Sequence, residues 1–357
     1  MNRPARVLVA GHDSGALNVL RPLLRAWINR DDLDPWFVST PSVLRDMQEQ
    51  VGGLRSPAWS GEITESVAAS RGDLDSVFSR HLDEDHWDAI VCGTSRLCLL
   101  EKRLLTAART RGIRSFAFCD MWWAYRERFR DGDELCLPDT LWVVDPRMQN
   151  EAALAIPELS GIEVVGSPFF EEIAELRLRQ AQPAAGGQVI RFFSEPASGK
   201  FPAAGIDEFE LAELLLDVAR HAGITRKIVV RTHPLDAIEH WRRWAWRHRH
   251  HDVELDLEPL DECMVSTGLA VGISSIVLAE MAMCGIPTAS IQLQDADADY
   301  YCLPFHEFGI ARIASREALL AWLVSDAERS QPPLAEHHER AVERITASVL
   351  DQSSHRP

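Results

Sequence analysis

Two short motifs in the second half of the chain have the residue types to hold an anion: Arg231-Thr232-His233-Pro234 and, further on, Gly272-Ile273-Ser274-Ser275. Each follows an apolar run that reads as a strand, and ligands of open α/β sheets bind beyond the carboxyl ends of strands. A serine pair opening a helix offers hydroxyls and free backbone N–H groups, and the helix dipole favours negative charge there. A histidine beyond a neighbouring strand can donate to the same phosphate, and Pro234 restricts its backbone to extended conformations. Together these residues describe a phosphate cradle that needs no metal. Each motif alone has a plainer use, Ser274-Ser275 as a helix N-cap and His233-Pro234 as a turn. Glu280 follows Ser275 by a little over one helical turn. It either reaches a ribose hydroxyl or is a partly buried acid paired with an arginine.

Other groupings carry less. Trp241, Trp244 and Trp246, with His248, His250 and His251, suggest an aromatic-basic patch. Their helical spacing fits burial of one face with solvated histidines. Asp295, Asp297 and Asp299 alternate as acids around a cation can, and an acidic surface loop accounts for them equally. The seven cysteines, Cys92, Cys98, Cys119, Cys136, Cys263, Cys284 and Cys302, include no CxxC pair. They read as reduced core thiols.

Strand-like runs alternate with helix-length amphipathic segments, the pattern of parallel sheets with crossover helices. In the first half the strands are Arg6–Ala10, Trp36–Ser39, Ala89–Gly93, Ser115–Cys119, Leu141–Val144 and Glu163–Val165. A charged helix over 171–180 leads to Gln182-Pro183-Ala184-Ala185-Gly186-Gly187, which has the composition of a linker. The pattern then restarts with strands at Val189–Phe193, Lys227–Arg231, Leu269–Gly272 and Thr288–Leu293. Helices are expected over Phe209–Ala222 and Ile276–Cys284, with a closing helix near 334–351. The expected layout is a Rossmann-like domain over 1–170, a linker over 171–187, a second such domain over 188–335, and a C-terminal helix and tail over 336–357.

At 357 residues the chain can bury two cores. With 46% hydrophobic and 25% charged residues it is globular and not disordered. A net charge of −17 argues against nucleic acid as the main partner, because phosphate backbones demand a basic footprint. No stretch has the unbroken apolar length of a membrane span, which leaves peripheral membrane contact open. The start, MNRPARVLVAGHDSG, runs straight into a strand and a glycine loop and lacks a signal peptide's apolar core. A cytoplasmic protein is the expectation.

The arrangement R-x-HP, then G-x-SS-x4-E and G-I-P, resembles the C-terminal half of GT-B glycosyltransferases. It is similar above all to bacterial capsule-type transferases with CMP- or CDP-activated donors and to CDP-glycerol glycerophosphotransferases. Leu137-Pro138-Asp139 and Val164-Val165-Gly166-Ser167-Pro168-Phe169 are similar to the domain-crossing region of GT-B enzymes and of non-hydrolysing UDP-GlcNAc 2-epimerases. The resemblance implies a GT-B fold, α/β, with two Rossmann-like domains whose parallel sheets face a central cleft. It implies a transferase that moves a sugar or polyol phosphate from a nucleotide-activated donor to a hydroxyl acceptor, as in polysaccharide biosynthesis. The nucleotide sugar would be substrate, with no separate cofactor and no metal. His233, Ser274, Ser275 and Gly272 would hold the donor phosphate and Glu280 the ribose. Arg231 either joins them or turns to the flank of the sheet. Ser194, in Phe193-Ser194-Glu195-Pro196, and secondarily Lys200, fall where GT-B proteins carry a phosphate loop.

The first half would then hold the acceptor and the base. Gly11-His12-Asp13-Ser14-Gly15 is similar in position to the first GT-B loop and is not GxGxxG, which counts against a nicotinamide site. Transfer with inversion needs a carboxylate or histidine to take the acceptor's proton, and Asp13 and His12 are the candidates. Asp13 could equally cap the following helix. Asp120 is an acceptor-binding candidate, followed by Met121-Trp122-Trp123-Ala124-Tyr125, whose rings either stack on an acceptor or pack in the core. Thr94 and Ser95 occupy another loop of this set. A UDP-sugar 2-epimerase and a non-catalytic nucleotide-sugar-binding protein are the alternatives.

Overall fold

The computed structural model describes residues 3–179, 189–200, 205–233, 236–251, 253–257, 260–293, 304–325 and 338–351. Pro234, the stretch 182–187 and Asp295, Asp297 and Asp299 lie outside the described residues. The chain divides into two compact units. Unit 1 is Met1–Glu172 with Glu336–Pro357, and unit 2 is Ile173–Ala335.

Unit 1 is built on six parallel strands, β1 (Ala5–Ala10), β2 (Leu33–Val38), β3 (Ala89–Cys92), β4 (Arg114–Cys119), β7 (Thr140–Val143) and β8 (Gly161–Val164). A two-residue antiparallel ribbon, β5 (Arg130–Asp131) and β6 (Glu134–Leu135), stands apart from the sheet. The sheet order is β2-β1-β3-β4-β7-β8. Val7, Leu8, Val9 and Ala10 are fully buried, as expected of a central strand covered by helices on both faces. The chain moves from β1 outward to β2 and returns to β3, so the topological switch lies between β1 and β3. The helix Ser14–Trp27 follows β1 and packs hard on that switch. A Cβ added at Gly93 would lie 2.3 Å from Ala16 Cβ, so only glycine permits this approach. The C-terminal helix Ala341–Leu350 belongs to the same unit: Trp27 Nε1 donates to Thr346 Oγ1 at 2.8 Å and Trp142 Nε1 to Ser348 Oγ at 3.1 Å.

Unit 2 has β9 (Val189–Phe193), β10 (Lys227–Arg231), β11 (Val253–Asp256), β12 (Thr267–Gly272), β13 (Thr288–Ile291) and β14 (Ala311–Ile313). Their order, β11-β10-β9-β12-β13-β14, is the 3-2-1-4-5-6 order of a dinucleotide-binding sheet, with its switch between β9 and β12. Every strand pair in it is parallel. Asp207 starts the helix Glu208–His221 by accepting from Phe209 N–H and Glu210 N–H. That helix and Ile238–Arg247 cover one face, where Leu215, Trp241, Trp244, Ile190 and Phe192 form the core. Trp241 and Trp244 are therefore core residues, and His248 lies over Trp244 and meets Glu213 Oε1 at 2.6 Å. Among the described residues no helix is long and apolar enough to cross a membrane.

Candidate functional site

At the switch of unit 2 two strands end side by side. Gly272 is in register with Phe193, and a Cβ on Gly272 would sit 3.1 Å from the Phe193 carbonyl oxygen. Beyond them, Ser194 N–H donates to the Arg231 carbonyl at 2.9 Å, which ties the β9 turn to the end of β10. Ser194 is 4% exposed, and its hydroxyl has no partner among the described residues. A buried orphan hydroxyl beyond a strand end is what a ligand oxygen would satisfy. Glu195 reaches across: its Oε2 accepts from Ser274 N–H at 2.7 Å. Ser275 caps the helix Ile276–Met283, its hydroxyl accepting from Val277 N–H over a long 3.4 Å. Leu278 N–H closes on the Ser275 carbonyl at 3.0 Å, so the loosely held Val277 N–H is the amide of this turn that an incoming anion can take. Glu280 lies buried in that helix.

Arg231 and His233 follow β10. Arg231 Nη1 is 3.6 Å from Asp256 Oδ2, and the buried Arg191 approaches the same carboxylate from the other side at 3.3 Å. Of the two sequence readings for Arg231, the flank of the sheet toward β11 is where the guanidinium is drawn. His233 N–H donates to Asp236 Oδ2 at 2.8 Å, and Trp241 Nε1 donates to the same oxygen at 3.1 Å. His233 is thereby tied through Asp236 to the buried Trp241. Ser194, Gly272, Ser274 and Ser275 thus share one switch point, with His233 and Arg231 at the end of the adjoining strand. Lys200 ends a short helix, Ala197–Lys200.

At the switch of unit 1 a second group of polar residues collects. Asp13 is the N-cap of Ser14–Trp27, its Oδ1 accepting from Ala16 N–H at 2.9 Å, so capping is part of its role. His12 N–H donates to Glu101 Oε1 at 3.1 Å. Glu101 stands on the helix Leu100–Thr110 and is 2% exposed. Its Oε2 and the Nδ1 of His12 are buried with no partner among the described residues. Burial first, and the neighbouring Asp13 second, push the Glu101 carboxyl up to about 7. Asp120, at the end of β4, is raised by burial and further by Asp13, with Arg128 opposing. Arg128 Nη1 donates to Asp120 Oδ1 at 3.0 Å and to the Thr94 carbonyl at 2.9 Å. A Cβ on Gly15 would lie 2.0 Å from Asp120 Oδ2, so that glycine lets the carboxyl lie against the start of the helix.

The other loop residues have structural roles. Thr94 Oγ1 donates to the Phe118 carbonyl, and Ser95 Oγ accepts from Leu97 and Cys98 N–H groups. Trp122 is buried with its indole N–H on Asp145, and the Tyr125 hydroxyl donates to Glu151 at 2.7 Å, so both rings belong to the core. Trp123 is half-buried and carries the Arg96 guanidinium over its ring at 5.3 Å. Two members of the group, Glu101 and Arg128, are missing from the sequence reading. Glu101 could have been found, as a lone acid on the stripe of Leu100, Leu104 and Leu105 that is buried with it. Arg128 gives no such signal, because it lies in a short 3₁₀ turn without periodicity.

No protein-family model and no curated protein sequence matches the chain. Solved structures do. The UDP-GlcNAc 2-epimerase of Neisseria meningitidis bound to UDP-GlcNAc is similar with TM-score 0.68 and 12% identity, over 97% of this chain and 99% of that one. The UDP-GlcNAc 2-epimerase of Methanocaldococcus jannaschii also gives TM-score 0.68, at 13% identity over 96% and 99%. A UDP-glucosyltransferase of Polygonum tinctorium gives 0.52, at 14% identity over 98% and 95%. The fold is thereby GT-B, with two Rossmann-like parallel-sheet domains, as the sequence motifs implied.

Proposed function

We propose that the protein is an enzyme acting on a nucleotide-activated sugar, with inversion at a sugar carbon, as in a 2-epimerase, as the first reading. The observation that carries it is the unit 2 switch point, where an orphan buried hydroxyl, a glycine strand end and a lightly capped helix start converge. That is the equipment of a phosphate site. In this reading Ser194, Ser274, Ser275 and the Gly272 turn hold the phosphate, with His233 and Arg231 beside them and Glu280 toward the ribose. The similarity to UDP-GlcNAc 2-epimerases along nearly the whole chain supports it.

Unit 1 supports epimerisation on chemical grounds. Inverting a carbon requires a proton taken from one face and returned to the other, so two groups in opposite protonation states are needed. Asp13 and Asp120 are carboxyls with different surroundings, Asp13 capping the first helix and Asp120 buried against Arg128. Sugar transfer is the second reading, favoured by the likeness to a UDP-glucosyltransferase. There Asp13 or His12 takes the proton of an acceptor hydroxyl and Asp120 binds that acceptor.

The test has two parts. Thermal shift against UDP, CMP, CDP, GDP and TDP, on the native protein and His233→Ala, identifies the base, since a ligand that binds only the folded state raises Tm. Proton NMR of UDP-GlcNAc incubated with the protein in deuterated water separates the readings. A new anomeric signal with deuterium entering the sugar ring supports the epimerase, and nucleotide release only with an added hydroxyl acceptor supports the transferase. No stabilisation by any nucleotide removes both.

A further inference from the structure

Glu101 is costly where it sits. A carboxyl 2% exposed, with one oxygen unpartnered among the described residues, is less stable than an apolar side chain of the same shape. It lies on the helix Leu100–Thr110, whose neighbouring positions Leu100, Leu104 and Leu105 are apolar and buried. Its one bond to a partner outside its own helix and the turn before it goes to the backbone of the residue next to Asp13. The groups that act on it are Asp13 from the start of the first helix, Cys98 from the preceding turn, and Cys92 from β3. Lys102, its chain neighbour, is turned to donate to the Arg96 carbonyl at 2.7 Å. No guanidinium or ammonium bonds the Glu101 carboxyl among the described residues. Asp120, beyond Asp13, has Arg128 instead. The cluster thus contains one acid matched with a cation, one acid used as a cap, and one acid left uncompensated.

We propose that Glu101 is a positioning residue of the unit 1 site, whose carboxyl holds the His12–Asp13 turn through the His12 N–H and sets the charge that stands beside it. While Glu101 is protonated, the His12–Asp13 turn has a neutral neighbour. Once Glu101 ionises, an uncompensated buried charge stands against the turn that it holds. The shift of Glu101 to about 7 places this change within the physiological range. The inference rests on reading the unit 1 carboxyls as the proton-transferring end of a nucleotide-sugar enzyme.

The experiment has one arm that does not depend on that reading. Infrared difference spectra between pH 6 and pH 8 are taken on the native protein and on Glu101→Gln, which keeps the His12 contact and cannot ionise. A band of a neutral carboxyl that disappears over this range in the native protein, and is missing from E101Q, is the expected result. A native protein without such a band overturns the proposal whatever the substrate. The second arm follows UDP-GlcNAc turnover against pH. In the native protein kcat changes by about threefold or more across neutrality, and in E101Q it stays level with KM unchanged. An E101Q profile that keeps the native inflection overturns the positioning role. If the native protein leaves UDP-GlcNAc unturned, the functional reading fails, and the infrared arm alone decides Glu101. Should E101Q not fold, Glu101→Asp serves. It must keep the titrating band, and with its shorter reach to His12 it must lower kcat more than it changes KM. A native-like kcat in E101D counts against the proposal.

Discussion

Glu195 and Glu101 are two acids with opposite circumstances. Glu195 sits at a helix start, where negative charge is favoured, and its carboxylate takes the Ser274 N–H at 2.7 Å. A phosphate arriving at that amide must displace it. Glu195→Gln replaces a charge-assisted competitor with a neutral one, so UDP should bind about tenfold more tightly by calorimetry. Unchanged affinity would mean that the phosphate does not use the Ser274 amide. Glu101 is buried and uncompensated, and its effect appears in stability. Its folded value, about 7, is raised above the ordinary 4.5. Its contribution is therefore fully present below pH 4.5 and is lost as pH climbs through 7. The difference amounts to about 3 kcal/mol over that window, since each unit is worth ~1.4 kcal/mol. Denaturant titrations of native protein and E101Q from pH 4.5 to 8 should show a slope in the native protein that the variant lacks. Parallel curves would place Glu101 in the ordinary carboxylate range.

At the scale of elements, the sites depend on how closely helices approach strand ends. Gly93 closes β3 against Ala16 of the first helix, and a methyl there would stand 2.3 Å from Ala16 Cβ. Gly93→Ala should lower stability by about 1–3 kcal/mol, the usual range for overpacking. It should also disturb the His12–Asp13 turn, which a fall in Tm together with lost turnover would register. A variant with native Tm would show that the helix can shift without cost. Several elements were open to sequence reading for simple reasons. Lys227–Arg231 and Val189–Phe193 are short apolar runs with clean ends, and they form β10 and β9 at those bounds. Val253–Asp256 escaped notice because it alternates apolar with acidic residues after a polar, histidine-rich stretch, and only pairing with β10 makes it a strand. The helices Pro41–Val51 and Arg71–His81 were missed for a related reason, since each carries few buried residues to mark a stripe.

At the scale of the molecule, unit 1 is not continuous in sequence. The helix Ala341–Leu350 returns to it, burying Ala341, Ile345 and Val349 and satisfying the Trp27 and Trp142 indoles. Ending the chain after Ala335 removes those contacts. The apolar side chains alone stabilise by roughly 2 kcal/mol each where large, so the loss should approach about 5 kcal/mol. Unit 2 keeps all its strands, so nucleotide binding should survive in the truncated protein while the melting of unit 1 moves to lower temperature. Loss of both together would show that the units fold as one.

The sequence by itself determined the alternation of strand and helix and the motifs that stand beyond strand ends, and the GT-B plan came from what those motifs resemble. The alternation and the motifs follow from local apolar periodicity and from turn residues, which act over a few neighbours. It left Asp13 between base and cap and Arg231 between cradle and flank, and it passed over Glu101 and Arg128. Only the tertiary structure settled where those side chains go, because their partners come from elements far along the chain. His12 meets Glu101 and Ser274 meets Glu195 through sheet order alone, and a carboxyl's charge is set by the burial and neighbours that this order creates.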